Sequence, residues 1–451
     1  MPVDRSKLPA LGPEPAFTFP QIARRVLANG LRVWTAEHRD VPVVSALLLL
    51  PAGAADDPAD RPGLAAITGD LLDEGCGDLS ALEFHEALGR MGASLDTEVG
   101  SDATLLGLTM LGRFAERGLT LLSDLVIRPR MESREFDRVR ELRLNRLTQL
   151  RDVPSAVAER VFVERLYGRH PYGHLSIGTE ASLSALTVED VKAFHDTRYD
   201  PAFATLIIVG DGSHAHLAAL GEQAFGQWPA ALHRRRADRS TPAPPPPADR
   251  LVMVHRPGAA QSEIRIGHVS VTRSTPDYHA LITLNMILGG QFVSRINMNL
   301  REKKGYTYGA RTSFDVRRGT GPFVLQAGVQ LEATTDAVKE AIGELEAIRG
   351  ERPVTREELL LGRAALTRGY PRNFETGEQI ARGAAQLALY ELPDDYFSSF
   401  VPTVLSLTEA DITRVAATHI HPEQLLTVIV GDRDKVGPTL ETLGPPVLHV
   451  T

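Results

Sequence analysis

The feature that most constrains this chain is an internal repeat. The segment Leu186–Asp211 aligns without gaps with Leu407–Asp432, at an offset of 221 residues (407 − 186). Each copy begins with a Thr-x-x-Asp pattern typical of a helix N-terminus, continues as a helical run and a proline, and ends as an apolar strand closed by Gly-Asp. Self-similarity of this kind indicates a duplicated structural unit. The identical pairs are Leu186/Leu407, Thr187/Thr408, Asp190/Asp411, Thr197/Thr418, Pro201/Pro422, Ile208/Ile429, Val209/Val430, Gly210/Gly431 and Asp211/Asp432.

A second pair of segments extends the repeat and sets the predicted domain bounds. Ser133 and Thr355 each open a long helical pattern, and they lie 222 residues apart (355 − 133). Between the halves, residues 233–250 read HRRRADRSTPAPPPPADR, a charged and proline-rich composition typical of an extended linker. The sequence therefore predicts an N-terminal domain over residues 20–232, a linker over 233–250 and a C-terminal domain over 251–435.

Strand and helix patterns are interleaved in each half without strict alternation. This arrangement favours an α+β fold, a sandwich of sheet and helices, over a doubly wound parallel sheet. Predicted strands cover Ala103–Leu111, Phe203–Val209, Arg265–Val271, Phe323–Leu331 and Leu425–Val430. Predicted helices cover Ala81–Met91, Arg134–Leu150, Ala333–Arg349, Glu357–Arg368 and residues 212–232.

Composition excludes several classes of function. The net charge of −8 and the pI near 6.0 argue against a nucleic-acid binder, because a phosphate backbone demands a basic face. The single cysteine, Cys76, permits neither an intrachain disulfide nor a cysteine-based zinc cluster. The longest nearly unbroken apolar run, Val43–Leu50, is far too short for a membrane span.

Short motifs point away from several common sites. The first residues, MPVDRSKLPALGPEP, lack the apolar region of a signal peptide, so the expected location is the cytoplasm, or the periplasm if an export signal has been removed. No phosphate-binding glycine loop and no G-x-S-x-G elbow occur. His170 and His174 have the spacing of two metal ligands, but Pro171 and Gly173 favour a structural turn.

The most specific region is Leu284–Phe314, which reads LNMILGGQFVSRINMNLREKKGYTYGARTSF and follows RPGAAQSEIRIGH at Arg256–His268. These residues resemble the pitrilysin/insulinase family of zinc peptidases, in its mitochondrial-processing-peptidase branch, and the likeness covers nearly the whole chain. The resemblance implies two homologous domains, each a mostly antiparallel sheet packed with helices, that form half of a clamshell around an unfolded peptide. It also implies a zinc site, an inverted H-x-x-E-H on a helix of the first domain with a further glutamate downstream.

The zinc-site positions of this chain depart from the family pattern. The family segment G-L-A-H-x-x-E-H corresponds to Gly63–Asp70, which puts Ala66 and Asp70 at the two histidine positions and Gly69 at the position of the general base. Alignment on the stretches Arg151–Pro154 (RDVP) and His170–Gly173 (HPYG) puts Arg146 at the third ligand position, where a guanidinium cannot bind a cation. Because all four positions are changed, the sequence predicts that this chain binds no catalytic zinc.

The other half of the family's active site is retained. The resemblance implies that the domain facing the zinc donates an arginine and a tyrosine seven residues apart, and Arg301 and Tyr308 have that spacing (308 − 301 = 7). A fixed guanidinium and a phenol suit the substrate backbone and the oxyanion that develops during peptide hydrolysis. From spacing alone, a solvated helix-end arginine and a strand tyrosine are the alternative interpretation. Tyr306 competes with Tyr308, because both would flank Thr307 on one strand face.

These observations support two hypotheses of function. In the first, the chain is the non-zinc subunit of a heterodimeric zinc metallopeptidase that acts on peptides. It is inactive alone, holds no cofactor, and supplies Arg301, Tyr308 and half of a peptide chamber to a homologous partner subunit whose H-x-x-E-H site holds zinc; the isolated chain could form a homodimer. In the second, the chain is a catalytically silent scaffold or assembly subunit of the same fold. A self-sufficient peptidase with a metal site such as His170/His174 is a third alternative.

Overall fold

The computed structural model describes residues 17–230 and 241–449. Residues 1–16, on which the signal-peptide prediction rests, lie outside the described residues, as do residues 231–240, which hold the end of the predicted helix 212–232 and the start of the predicted linker. The strands are β1 (Ala23–Val26), β2 (Arg32–Glu37), β3 (Val43–Leu50), β4 (Gly75–Cys76), β5 (Leu79–Ser80), β6 (Ser94–Val99), β7 (Thr104–Leu111), β8 (Thr205–Gly210), β9 (Leu251–His255), β10 (Gln261–Val269), β11 (Thr307–Phe314), β12 (Pro322–Gln330), β13 (Leu426–Gly431) and β14 (Val447–His449).

The five predicted helices are present, although the one predicted over residues 212–232 ends at Phe225, and the described residues form further helices besides them. The helices are α1 (Leu64–Asp70), α2 (Ala81–Met91), α3 (Ala115–Ile127), α4 (Ser133–Arg151), α5 (Pro154–Tyr167), α6 (Glu180–Ala185), α7 (Val188–Arg198), α8 (His214–Phe225), α9 (Tyr278–Asn285), α10 (Arg295–Asn297), α11 (Thr334–Ala347), α12 (Arg356–Thr367), α13 (Gly377–Tyr390), α14 (Tyr396–Ser406), α15 (Glu409–His419) and α16 (Arg433–Leu440). Two π-helical segments, Met286–Gly290 and Met298–Lys303, flank α10. No helix in the described ranges is both long and apolar enough to cross a membrane.

Two six-stranded sheets carry the duplication. The first has the strand order β1-β2-β8-β3-β7-β6, and the second, read from the corresponding edge, has the order β14-β9-β13-β10-β12-β11. The repeated strand that ends in Gly-Asp has the same neighbours in both sheets. β8 pairs parallel with β2 and antiparallel with β3, while β13 pairs parallel with β9 and antiparallel with β10. The predicted α+β class, with two units of mostly antiparallel sheet packed with helices, is confirmed.

The repeated helices begin with the same hydrogen-bonded cap. The Thr187 backbone N–H donates to the Asp190 carboxylate at 2.9 Å, and the Asp190 N–H donates to the Thr187 hydroxyl at 3.2 Å. Thr408 and Asp411 repeat the arrangement at 2.8 and 3.2 Å. Because the cap satisfies backbone donors that the first helical turn leaves free, the Thr-x-x-Asp pattern fixes where α7 and α15 start.

Each sheet is covered on one face by a helix from the other half of the chain. α5 packs on the second sheet, where Phe162 joins a buried cluster with residues of β9 and β13. α13 packs on the first sheet, where Ile380 and Leu387 join a cluster with residues of β2, β3 and β8. The two helices start 223 residues apart (377 − 154), so they are equivalent elements of the repeat. Each sheet is built from one predicted half of the chain, whereas α5 and α13 each cover the sheet of the other half. The exact limits of the two domains stay a prediction.

Asp277, the residue immediately before α9, ties the end of α15 to the start of α9. Arg414 Nη2 lies 2.6 Å from Asp277 Oδ1, and His419 Nε2 lies 2.7 Å from Asp277 Oδ2. The Arg414 hydrogen bond, with a smaller contribution from His419, lowers the pKa of Asp277 to about 2. The ionised carboxylate is therefore stabilised by the fold.

We expect Asp277→Asn to lower the free energy of unfolding at pH 7 by about 2 kcal/mol, because one pKa unit corresponds to about 1.4 kcal/mol. A depressed carboxylate pKa stabilises the fold above the unfolded pKa, near 3.9, and this contribution is lost as the pH falls toward 2. Urea unfolding from pH 7 to pH 3 should show the difference from wild type shrink below about pH 4. Asp336→Asn, at an exposed residue without an ion pair in the described ranges, is the control. A difference that stays constant with pH would contradict the assignment.

Candidate functional site

The helix that aligns with the family's zinc helix is closely packed at two of the zinc-site positions. α1 buries Ala66 at 3% exposure, so this position faces the core. Gly69 lies against the edge strand β6, and a Cβ atom added there would be 2.7 Å from Val99 Cγ2. A glutamate at this position would displace the Val99 methyl group. The position of the general base is therefore filled by the packing of the helix on the strand.

The remaining two zinc-site positions meet in one cleft, as the alignment predicts, but they carry the wrong chemistry. Asp70 and Arg146 both line a cleft of about 510 Å³ between α1, α4 and β6. The Arg143 Nε donates to Asp70 Oδ2 at 2.6 Å, and the Arg143 side chain is only 13% exposed. A carboxylate engaged by a guanidinium, with a second arginine beside it, does not form a zinc site. The residues present do not fit the metal.

One other group of metal-binding residue types comes together within the described residues, and sequence reasoning missed it. His255, Asp432 and Asp434 bring one ligand atom each within 4.8 Å of one another. His255 Nδ1 already accepts a hydrogen bond from the Arg433 N–H at 3.1 Å, and Asp432 accepts from the N–H groups of Gly258 and Asp434 at 3.0 and 3.2 Å. These contacts cap α16, which explains the cluster without an ion. The Gly-Asp end of the repeat was the signal that could have found it.

The histidine pair considered from the sequence lies in a turn, as predicted. His174 Nε2 is 3.1 Å from the buried Asp57 Oδ2, and His170 Nδ1 accepts from the Tyr172 N–H at 3.1 Å. Burial lowers the pKa of His170 and keeps the ring neutral. Neither histidine belongs to a group of three metal-binding residues in the part of the chain that the structure describes.

Arg301 lies in the π-helical segment Met298–Lys303 and is held by an aromatic ring. Its guanidinium carbon is 3.7 Å from the centre of the Phe292 ring, and its side chain is 28% exposed. Nη1 lies 3.3 Å from Glu302 Oε1, but this buried nitrogen makes no hydrogen bond. Stacking on Phe292 fixes the plane of the guanidinium, while one N–H donor stays unused.

Tyr308 projects from a bulge at the start of the edge strand β11. Thr307 pairs with Val329 and Ala310 with Ala327, so two residues of β11 oppose the single Gly328 of β12. The bulge leaves Tyr308 92% exposed.

Tyr306 does not share a strand face with Tyr308, so that prediction is wrong. Tyr306 precedes the strand, packs against the core, and donates its backbone N–H to Leu300 at 2.9 Å. The bulge then turns Tyr308 away from it. Tyr308 is the tyrosine of this segment whose side chain is available.

A residue that sequence reasoning missed holds these two positions together. Asn297, at the end of α10, is buried, and its side chain donates to the Ala310 carbonyl at 2.9 Å while accepting from the Ala310 N–H at 2.8 Å. The amide thus binds the backbone of β11 immediately after the bulge. Arg301 follows Asn297 by four residues, about one helical turn, so this clamp sets the distance between the helix and Tyr308. An asparagine in a helical pattern was the only signal in the sequence.

An open cleft of about 990 Å³ lies beside Tyr308. Phe292 lines it together with Gly289 and Gly290, which end the π-helical segment Met286–Gly290, and a Cβ atom at Gly289 would be 2.7 Å from the backbone nitrogen of Thr312. A side chain at position 289 would collide with the backbone of β11, so the close approach of the two segments depends on glycine. On the sheet side, Arg265 is paired with Glu159 and Glu263, whereas the exposed Arg311 makes no ion pair within the described ranges. The cleft combines the Phe292 ring, the exposed Tyr308 phenol and the positive charge of Arg311, which suits an extended peptide. Arg301 stacks on Phe292 but is not among the described residues that line the cleft.

Comparisons with known proteins agree with this picture. Residues 32–180 match the family profile described as insulinase (peptidase family M16), and residues 185–366 match the profile described as the peptidase M16 inactive domain. A protein named as an uncharacterized zinc protease from Mycobacterium tuberculosis is 26% identical over 325 residues, which cover 72% of this chain and 74% of that protein. A protein named as a non-peptidase homolog from Helicobacter pylori is 22% identical over 156 residues, which cover 35% of this chain and 36% of that protein. The crystal structure of a peptidase M16 inactive domain from Pseudomonas fluorescens has the same fold, with a TM-score of 0.83 at 23% identity, covering 91% of this chain and 98% of that chain.

Proposed function

The chain belongs to the insulinase family of peptidases (peptidase family M16), as a member without the zinc-site residues, and on this premise we propose that it is the non-zinc subunit of a two-chain zinc peptidase. In this proposal a homologous partner subunit carries the H-x-x-E-H zinc site. This chain supplies Arg301, Tyr308 and half of the chamber that encloses an unfolded peptide.

One contrast within the chain supports the proposal. The zinc-site positions are filled by packing and by the Asp70–Arg143 ion pair, whereas Tyr308 is exposed beside an open cleft and Arg301 keeps a donor unused. A scaffold that had lost all chemistry would gain nothing from a buried guanidinium nitrogen without a hydrogen bond, since such a group costs stability. The contrast is expected for a subunit whose contribution is completed by another chain.

The proposed roles follow from donor geometry. Tyr308 donates its hydroxyl to the oxyanion of the tetrahedral intermediate, where a donor aimed at developing charge lowers the barrier. Arg301, fixed by Phe292, donates to the carbonyl groups of the substrate backbone beside the scissile bond. Asn297 is a positioning residue, because it acts on the peptide only through the placement of these two side chains.

The test is reconstitution of peptide cleavage. Hydrolysis of a fluorogenic peptide library should be absent with this chain alone and present when a homologous relative with an intact H-x-x-E-H motif is added, above the relative's own rate and abolished by a chelator. The matched control is this chain with Arg301→Ala and Tyr308→Phe together, which should still bind the relative in sedimentation but not raise its rate. Silence of the mixture, with a stable complex formed, would favour the alternative of a scaffold or assembly subunit.

Chelator-sensitive cleavage by this chain alone would contradict the proposal and would support a metal site of its own. Sedimentation of the isolated chain also tests whether it forms a homodimer. Such a homodimer would lack H-x-x-E-H in both copies, so it should be silent in the same assay.

A further inference from the structure

A second cavity, of about 470 Å³, lies where the two halves of the chain meet. Its walls come from the turn between β6 and β7, including Ser101 and Asp102, from α13, and from the loop after β11. Arg273, in the loop before α9, closes another side together with Tyr278. The volume falls in the range of about 300–1,000 Å³ typical of small-ligand sites, which suits a small molecule or the end of a peptide rather than a folded protein.

The unusual wall residue is Arg273, a buried cation without a counter-ion. The residue is 4% exposed, and it makes no ion pair within the described ranges. Its guanidinium carbon lies 3.6 Å from the centre of the Tyr278 ring and 4.8 Å from that of Tyr396, and Nη2 donates to the Tyr396 hydroxyl at 2.6 Å. Nε and Nη1 have no hydrogen-bond acceptor among the described residues. Two donors of a buried guanidinium are therefore left for a ligand.

The tyrosines around Arg273 are neutral, and the other arginines of the cavity are paired with acidic residues. Burial raises the pKa of Tyr390 to about 12 and also raises that of Tyr396, so both phenols stay neutral at pH 7. Arg317 is paired with Asp315 at 2.6 Å, and Arg382 with Asp96 at 2.6 Å and Glu98 at 2.9 Å. The paired residues leave Arg273 as the cation that an anionic ligand would meet. A buried charge of this kind is costly unless an opposite charge completes it.

Asp102 decides which anion fits. This residue is 5% exposed, lines the same cavity, and accepts hydrogen bonds from the Tyr172 hydroxyl at 2.7 Å and the Arg318 N–H at 2.8 Å. Its negative charge disfavours a multiply charged anion such as inorganic phosphate. A ligand with one carboxylate for Arg273 and neighbouring N–H donors for Asp102 and Ser101 matches both walls, and the end of a peptide chain has both groups.

We propose that this cavity binds the free C-terminal carboxylate of a short peptide, with Arg273 as the anchor. The carboxylate accepts from Nη2, which carries one N–H besides the one it gives to Tyr396, and from the nitrogen that lies beside that N–H, Nε or Nη1. The choice of a peptide as the carrier rests on the proposed function, whereas the carboxylate specificity rests on Arg273 alone. The site is separate from the cleft beside Tyr308, so it would hold the end of a substrate or product at the junction of the halves.

The test is calorimetric titration of the isolated full-length chain, without a partner or zinc. The probes are an N-acetylated tripeptide with a free C-terminal carboxylate, the same tripeptide as its amide, and inorganic phosphate. We expect the carboxylate form to bind about tenfold or more tightly than the amide, since the lost contacts are charge-assisted hydrogen bonds. Equal binding of acid and amide, or tighter binding of phosphate, would overturn the proposal.

Variants locate the binding. Arg273→Gln should remove the preference for the carboxylate form, and Arg273→Lys should restore part of it, since lysine keeps the charge but not the paired geometry. A second variant tests the site if Arg273→Gln does not fold. Gln386→Trp, at an exposed cavity-lining position of α13, should block binding while Arg273 is intact. Arg356→Gln, at an exposed residue without an ion pair in the described ranges, is the control. Unchanged binding by a folded Arg273→Gln or by Gln386→Trp would refute the site. Because no cleavage is measured, the result is independent of whether the two-chain peptidase forms.

Discussion

Replacing Tyr308 with phenylalanine is expected to lower kcat of the reconstituted pair by about 10²- to 10³-fold, which is the usual effect of removing one oxyanion donor. The phenol is 92% exposed and makes no contact that holds the fold, so the variant should keep the stability of wild type. Because the oxyanion exists only in the transition state, KM should change little.

Arg301→Ala should lower kcat/KM by a similar factor, but with a raised KM. A guanidinium that donates to substrate carbonyls acts on the bound substrate as well as on the transition state. The variant also leaves Phe292, which is 64% exposed, without the cation that now covers one face of its ring. Arg301→Lys restores the charge without the planar stack and should recover only a small part of the activity.

Both variants are compared with neighbours that the structure separates from the cleft. Tyr306→Phe changes a half-buried tyrosine two residues away, and Arg356→Ala changes an exposed arginine at the start of α12. Steady-state kinetics on one peptide substrate, with circular dichroism and complex formation checked for every variant, separates the effects. If Tyr308→Phe retains kcat within about twofold of wild type, the role proposed for Tyr308 is wrong, and the alternative of a scaffold or assembly subunit is favoured.

The architecture was accessible from the sequence because its signals are local. The Thr-x-x-Asp caps and the Gly-Asp strand ends repeat in sequence, and they produce equivalent helices and strands in the two sheets. The helix Ala81–Met91 was predicted at both ends, because Ser80 caps it and Gly92 ends it in the left-handed region. The strand predicted over Arg265–Val271 begins instead at Gln261. Residues 261–264 pair with β12, but their sequence shows no clear alternation of apolar and polar side chains.

The candidate site was only partly accessible. The loss of zinc ligands can be seen in residue identities, and so can the spacing of Arg301 and Tyr308. The bulge at Tyr308 depends on the register between β11 and β12, and the Asn297 clamp joins residues whose contact no periodicity indicates. The helix exchange has the same cause. A hydrophobic stripe tells which face of α5 is buried, but not which sheet it covers.

The contact of α5 with the second sheet gives the largest expected effect on stability. Phe162→Ala should lower the free energy of unfolding by about 3–5 kcal/mol, because the ring is 1% exposed in the cluster between α5 and the second sheet. The ring also lies over Gly267 of β10, where a Cβ atom would be 2.9 Å from Phe162 Cζ, so no neighbouring side chain can fill the cavity from that position. Phe292→Ala, at a 64% exposed ring, should change the stability by no more than about 0.5 kcal/mol.

The chain provides its own probe of whether the two halves unfold together. Both tryptophans lie before the linker, with Trp34 in the cluster beneath α13 and Trp228 in the core of the first unit, whereas Phe162 packs on the second sheet. Since each sheet is covered by a helix from the other half, Phe162→Ala should shift the urea transition followed by tryptophan fluorescence as far as the one followed by circular dichroism. A fluorescence midpoint that stays at the wild-type value while circular dichroism separates into two steps would mean that the halves unfold independently. The exchanged helices would then be docked too weakly to join the two sheets into one cooperative unit.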